Sequence, residues 1–143
     1  MIEKSAFLRC APDRAFALFT EQASAWWPPS LRHTPDPRSE IRMLASGRFW
    51  EQGAGGAIVE LGWVTVWEPP RRLVIDFYPG TGSEHPTEVV VTFAAEAGGT
   101  LVVVEHRPTS ESAGVWSAGA PGFERSWNLV LGALEHAATA ANT

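Results

Sequence analysis

Three groups in this chain have the types that acid–base chemistry needs. They are the imidazole of His106 and the carboxylates of Glu51 and Glu60. An imidazole that titrates near neutrality, set beside a carboxylate, is the elementary general acid–base pair. His106 closes an alternating run, Thr100–Arg107, in which Val102, Val104 and His106 share one face. Glu60 stands in the long β-branched run Ala57–Trp67, and Glu51 follows Trp50 in the preceding hairpin. Each has a plainer reading beside the chemical one. His106 is equally a histidine satisfied at a strand end by backbone or by Glu105 and Arg107. Glu51 is equally a solvated strand-edge carboxylate or the partner of a nearby arginine.

Other chemistries find less to build on. His33, His85, His106 and His136 fall on four separate elements, without His-x-x-x-His or Cys-x-x-Cys spacing, so no metal is expected. No cofactor is expected either, because Gly53-Ala54-Gly55-Gly56 lies between strands and reads as a hairpin turn, not a phosphate cradle. Nothing has the setting of an activated serine or cysteine, and Cys10 reads as a small semi-buried apolar residue. A net charge of −5, with no basic cluster beyond Arg71-Arg72, argues against nucleic acid. Apolar runs such as Leu101–Val104 are too short to cross a membrane, and residues 1–20 lack the basic-then-apolar order of a signal peptide. Together with a single cysteine, this leads us to expect a cytoplasmic protein, and 143 residues suit one domain.

The elements that must position these groups follow from periodicity. From Gly122 to Ala141 the apolar residues Phe123, Trp127, Val130, Leu131, Leu134, Ala138 and Ala141 share an arc of about 100°, which predicts an amphipathic helix. The stripe tapers from aromatics through branched aliphatics to alanines. Such a helix packs tightly at its C-terminal end and stands off at its N-terminal end, leaving room for a ligand. Seven tryptophans point the same way, to a large core or an aromatic-lined cavity.

Ile2–Arg9 reads as a strand, a helix opens at Ala11-Pro12-Asp13, and a second short one spans Thr20 to Trp27. Six strands follow: Glu40–Ala45, Gly47–Gln52, Ala57–Trp67, Arg72–Tyr78, Thr87–Ala95 and Thr100–Arg107. Pro108–Pro121 reads as a lid-like loop carrying Trp116. One helix cannot cover a flat sheet of seven strands, so the predicted class is α+β, a helix-grip fold with a curved antiparallel sheet wrapped around the C-terminal helix. Within Ala57–Trp67 we take Ile58, Glu60, Gly62, Val64 and Val66 to face inward. Gly62 would then let the helix approach, and the tryptophans would cap the outside or a homodimer surface.

Trp26-Trp27-Pro28, Gly47-Arg48-Phe49-Trp50-Glu51, Gly62-Trp63-Val64, Trp67-Glu68-Pro69-Pro70-Arg71-Arg72-Leu73, Glu105-His106-Arg107 and the closing helix span nearly the whole chain. In this order they resemble the START/SRPBCC superfamily, and within it the branch named after the activator of the ninety-kilodalton heat-shock protein's ATPase. The chain departs from that pattern at Pro108-Thr109, where the resemblance implies a glycine and an aromatic, so a differently shaped lid is expected. The resemblance agrees with the helix-grip fold read from the residues, and the two together give three readings of function. The first is a binding protein for a hydrophobic or aromatic small molecule, with Trp26, Trp27, Phe49 and Glu60 as candidate contacts, joined by Val64, Phe77, His106, Trp116 and Phe123. The second is a partner of a chaperone ATPase. The third is a cyclase- or hydrolase-type enzyme using His106 with Glu51 or Glu60.

Overall fold

The computed structural model describes residues 1–34, 36, 38–79 and 81–141. Seven antiparallel strands form one sheet: β1 (Ile2–Leu8), β2 (Glu40–Met43), β3 (Arg48–Gln52), β4 (Ile58–Glu68), β5 (Arg72–Phe77), β6 (Thr87–Glu96) and β7 (Gly99–Pro108). Their order is β1-β7-β6-β5-β4-β3-β2, so β2 to β7 form a meander and β1 joins the last strand. Two short helices, α1 (Pro12–Phe19) and α2 (Ala23–Trp26), follow β1, and α3 (Ala113–Ala141) closes the chain. The sheet curls into a half-barrel around α3, as the mismatch between one helix and seven strands requires.

The core is what the alternation dictates. Leu73 and Ile75 of β5, Val89, Val91 and Phe93 of β6, and Val102 and Val104 of β7 are buried beneath α3. From the helix side Trp127, Val130, Leu131, Leu134 and Ala138 meet them, while Leu129, off the stripe, is exposed. Phe16 and Phe19 of α1 seal one end, with Phe16 edge-on to Trp67 at 5.2 Å.

Two expectations are corrected. The first concerns β4, where the alternation breaks twice. Leu61 is extra against β3 and Thr65 is extra against β5, and each bulge shifts the register. Val59 and Leu61 therefore point inward, then Gly62 and Val64, then Trp67, while Ile58, Glu60 and Trp63 point out. The expected inward row thus loses Ile58, Glu60 and Val66, and Trp67, expected on the outside, packs inward on Phe16. Gly62 does admit a close neighbour, but it is the adjoining strand: a Cβ there would lie 2.3 Å from the Asp76 carbonyl oxygen.

The second concerns Pro108–Pro121, most of which is not a loop. α3 begins at Ala113 and runs for 29 residues with Pro121 inside it. Proline withholds the N–H that would reach the Ser117 carbonyl. Both residues are exposed, so the interruption falls on the solvent side, where the freed carbonyl is open to water.

Candidate functional site

Where the helix stands off the sheet there is a cavity of about 370 Å³. Phe77, Trp127, Phe123 and Val130 form its apolar floor and helical wall, and Trp27 and Leu31 face them from the segment after α2. Gly119, Gly122 and Ser126 supply the small surface of α3 that leaves the space open. Ser30, Arg32, His33, Pro79 and Thr81 complete the rim. A second hollow of about 420 Å³ lies between α2 and the edge strand β2, among the charged, exposed Glu21, Glu40 and Arg42 and without an aromatic wall. The first has the concave, mostly apolar character of a ligand site.

His106 lies behind this cavity, not in it. It is fully buried, ringed by Phe123 at 4.4 Å, Trp116 at 5.1 Å, Phe77 at 5.5 Å and Trp127 at 6.1 Å between centroids. The Trp127 indole N–H donates to His106 Nδ1 at 3.0 Å. An indole only donates, so the imidazole proton sits on Nε2, which donates to Thr87 Oγ1 at 2.7 Å. That hydroxyl in turn donates to the Phe77 carbonyl at 2.6 Å. Every polar atom of the chain of bonds is satisfied, which leaves His106 neither a lone pair for a substrate nor a proton to give. The partners that satisfy His106 are Trp127 and Thr87, not the backbone, Glu105 or Arg107.

Burial, helped by the N-terminal ammonium, lowers the His106 pKa from 6.5 to about 4. Across that window the unfolded chain binds a proton that the folded chain refuses. The stabilisation is therefore complete above the unfolded value and is lost as pH falls toward the folded one. Urea melts should show about 2 kcal/mol less stability near pH 5 than near pH 7 from this group. A His106→Gln variant should be weaker near pH 7 but lose much less between the two conditions; equal losses in both proteins would contradict this assignment.

The carboxylates are equally committed. Glu51 is fully buried on the inner face of β3, accepting the backbone N–H of His33 at 2.8 and 3.0 Å and that of Thr34 at 2.7 Å. Burial pushes its pKa up, but these N–H groups and the hydroxyls of Thr34 and Ser39 more than offset that and hold the carboxyl below its ordinary value. It is neither a solvated edge group nor an arginine's partner. Glu60 lies on the outer face of the sheet, paired with Arg48 at 2.6 Å, so it does not neighbour His106. The expected pairing of His106 with Glu51 or Glu60 is not assembled.

Of the expected contacts, Trp27, Phe77 and Phe123 line the cavity. The adjacent tryptophans divide: Trp27 faces the cavity, whereas Trp26 bonds the Leu18 carbonyl at 2.7 Å and packs near Phe19. Phe49 is buried behind Phe77, its ring stacked at 6.3 Å. Val64 is core, and Trp116 lies on the first turns of α3 against His106 and Phe123.

A curled sheet gripping a C-terminal helix, with a cavity at the helix's wide end, is the setting in which the comparisons with known proteins become informative. The family described as Activator of Hsp90 ATPase homolog 1-like protein matches residues 9–139. The chain belongs to this family. Among solved structures it is similar to CalC, a self-sacrificing resistance protein from Micromonospora echinospora, with 24% identity and a TM-score of 0.71, covering 96% of this chain and 92% of that one. It is also similar to Ms6760 from Mycobacterium smegmatis, with 16% identity and a TM-score of 0.63, over 97% and 90% of the two chains. DynU16, from the dynemicin biosynthetic locus, matches at 16% identity and a TM-score of 0.61, over 94% of this chain and 45% of that one. A search of curated proteins finds no match. At these identities the structural likenesses speak for the fold, which in the Activator of Hsp90 ATPase homolog 1-like family and its superfamily commonly binds hydrophobic ligands.

In this family member the cavity lies where the helical stripe is aromatic, and none of its rim residues is among the expected contacts. Ser30, Arg32, His33, Pro79 and Thr81 come from a single 3-10 turn with the segment after it and from the loop after β5, where no periodicity reports direction. Among the described residues no cluster of three or more His, Cys, Asp or Glu could hold a metal ion. Among the described residues no helix is long and apolar enough to cross a membrane.

Proposed function

We propose that this protein, acting in the cytoplasm, binds a flat hydrophobic or aromatic small molecule between the N-terminal half of α3 and the sheet. The observation that carries the reading is the cavity of about 370 Å³, walled by Trp27, Phe77, Phe123 and Trp127. Its volume falls within the range of small-molecule sites, and rigid rings offer a large apolar contact area at little entropic cost. The same fold serves CalC as a self-sacrificing resistance protein and DynU16 in the dynemicin biosynthetic locus. Both contexts suit a small-molecule partner.

Gly122 provides the test. A side chain there would enter the cavity, and its Cβ would meet only Arg125 Nη2, at 3.8 Å. Gly122→Leu should therefore stabilise α3 by about 1 kcal/mol through helix propensity while abolishing binding. A ligand in hundredfold excess over its Kd should raise wild-type stability by about 2.7 kcal/mol and leave the variant unmoved. A chaperone regulator would behave differently. No apolar compound would shift the melt, and the protein would stimulate its partner's ATPase whether or not Gly122 was replaced.

A further inference from the structure

The cavity wall contributed by the segment after α2 holds a cation with no carboxylate against it. Arg32 Nη2 donates to the Ser24 carbonyl at 2.9 Å and the Trp27 carbonyl at 3.2 Å. Nη1 donates to the Ser39 carbonyl and, at 3.4 Å, to Ser39 Oγ. Carbonyls fix the guanidinium in place but carry only partial charge. Arg32 Nε is buried and has no hydrogen-bond partner in the protein.

The nearby acids are used elsewhere. Glu51 is taken by His33 and Thr34, and Asp36 accepts the N–H of Ala54 at 2.7 Å and of Arg38 at 2.9 Å. Among the described residues no ion pair joins Arg32 to a carboxylate, and no Asp or Glu lines the cavity. A second orphan belongs to the same rim. Thr81, from the loop between β5 and β6, lines the cavity, and its Oγ1 is buried without a partner. Native proteins leave few buried polar atoms unpaired, so two on the rim of one cavity call for an explanation.

We propose that the ligand is amphipathic: an apolar ring system on Phe77, Phe123 and Trp127, carrying a carboxylate held at the rim by the Arg32 guanidinium and the Thr81 hydroxyl. A charged donor facing an ionised acceptor makes a bond roughly twice as strong as a neutral pair. The Arg32 cation is held by carbonyls and feels Asp36 only through space, so it can still offset part of the cost of taking the carboxylate out of water. Polar recognition then sits at the rim and apolar recognition on the floor. This specificity rests on the cavity being the binding site, and it names the ligand class that the cavity takes.

Displacement of the neutral fluorescent probe N-phenyl-1-naphthylamine tests the two claims separately. Wild type should release the probe to 2-naphthoate at about a tenfold lower concentration than to 2-acetylnaphthalene, a neutral molecule of similar shape. Arg32→Met should abolish that preference, Arg32→Lys should retain part of it, and Thr81→Val should narrow it about threefold. If Arg32→Met does not fold, the other two variants decide. Equal or better displacement by the ketone in wild type, or a preference that survives every variant, would overturn the carboxylate site while leaving the cavity reading intact. Failure of the probe itself to bind would overturn both.

Discussion

Trp127→Ala should be the most damaging single truncation in the chain, costing about 3–5 kcal/mol in denaturant melts. The indole is 4% exposed, lies at the centre of the helical stripe, and is in ring contact with Phe77 at 6.1 Å. Its removal opens a void between helix and sheet and also withdraws the donor from His106 Nδ1. That nitrogen would then be buried without a partner, which adds about 1 kcal/mol or more. Trp127→Phe separates the two effects, because it keeps most of the packing and loses only the indole N–H. It should cost about 1–2 kcal/mol. A loss below about 1 kcal/mol for the alanine variant would mean that the sheet does not grip α3.

Glu51→Ala should cost about 3 kcal/mol, by a different route. Its carboxylate gathers the N–H groups of His33 and Thr34, and both donors would be left in a buried setting without an acceptor. Glu51→Gln is the informative companion. One oxygen becomes an amide NH₂ that must face an N–H donor, so a nearly isosteric change should still cost about 2 kcal/mol. Because Arg32 and His33 line the cavity, both variants should weaken ligand binding more than their distance from the helix would suggest. Thermal melts paired with ligand titrations would check this. Unaltered affinity in a destabilised variant would show that the rim is not held by Glu51.

What was legible in the sequence, and what was not, follows the range over which the deciding contacts act. Strand positions and the α3 stripe from Phe123 onward were legible because alternation and the helical period are local signals. The start of α3 was misread because Gly114, Gly119, Pro121 and Gly122 weigh against a helix by propensity. The spacing from Trp116 through Phe123 to Trp127 nonetheless keeps the helical period across Pro121, and tertiary packing decided the matter. Glu60 was misplaced because a bulge reverses a strand's faces without leaving a mark in its composition. The inward direction of His106 could be read from its strand. Its closure by Trp127 and Thr87 could not, since those partners are 21 and 19 residues away and pairing is set by the fold.

The most direct test of the central claim is the location of a bound apolar ligand, read from intermolecular nuclear Overhauser effects with N-phenyl-1-naphthylamine. The predicted contacts are the rings of Phe77, Phe123 and Trp127 and the methyl groups of Val130, with the signals of Trp63 and Ile58 on the outer face undisturbed. Contacts confined to Trp63 and Ile58, or none to the rings under α3, would contradict it.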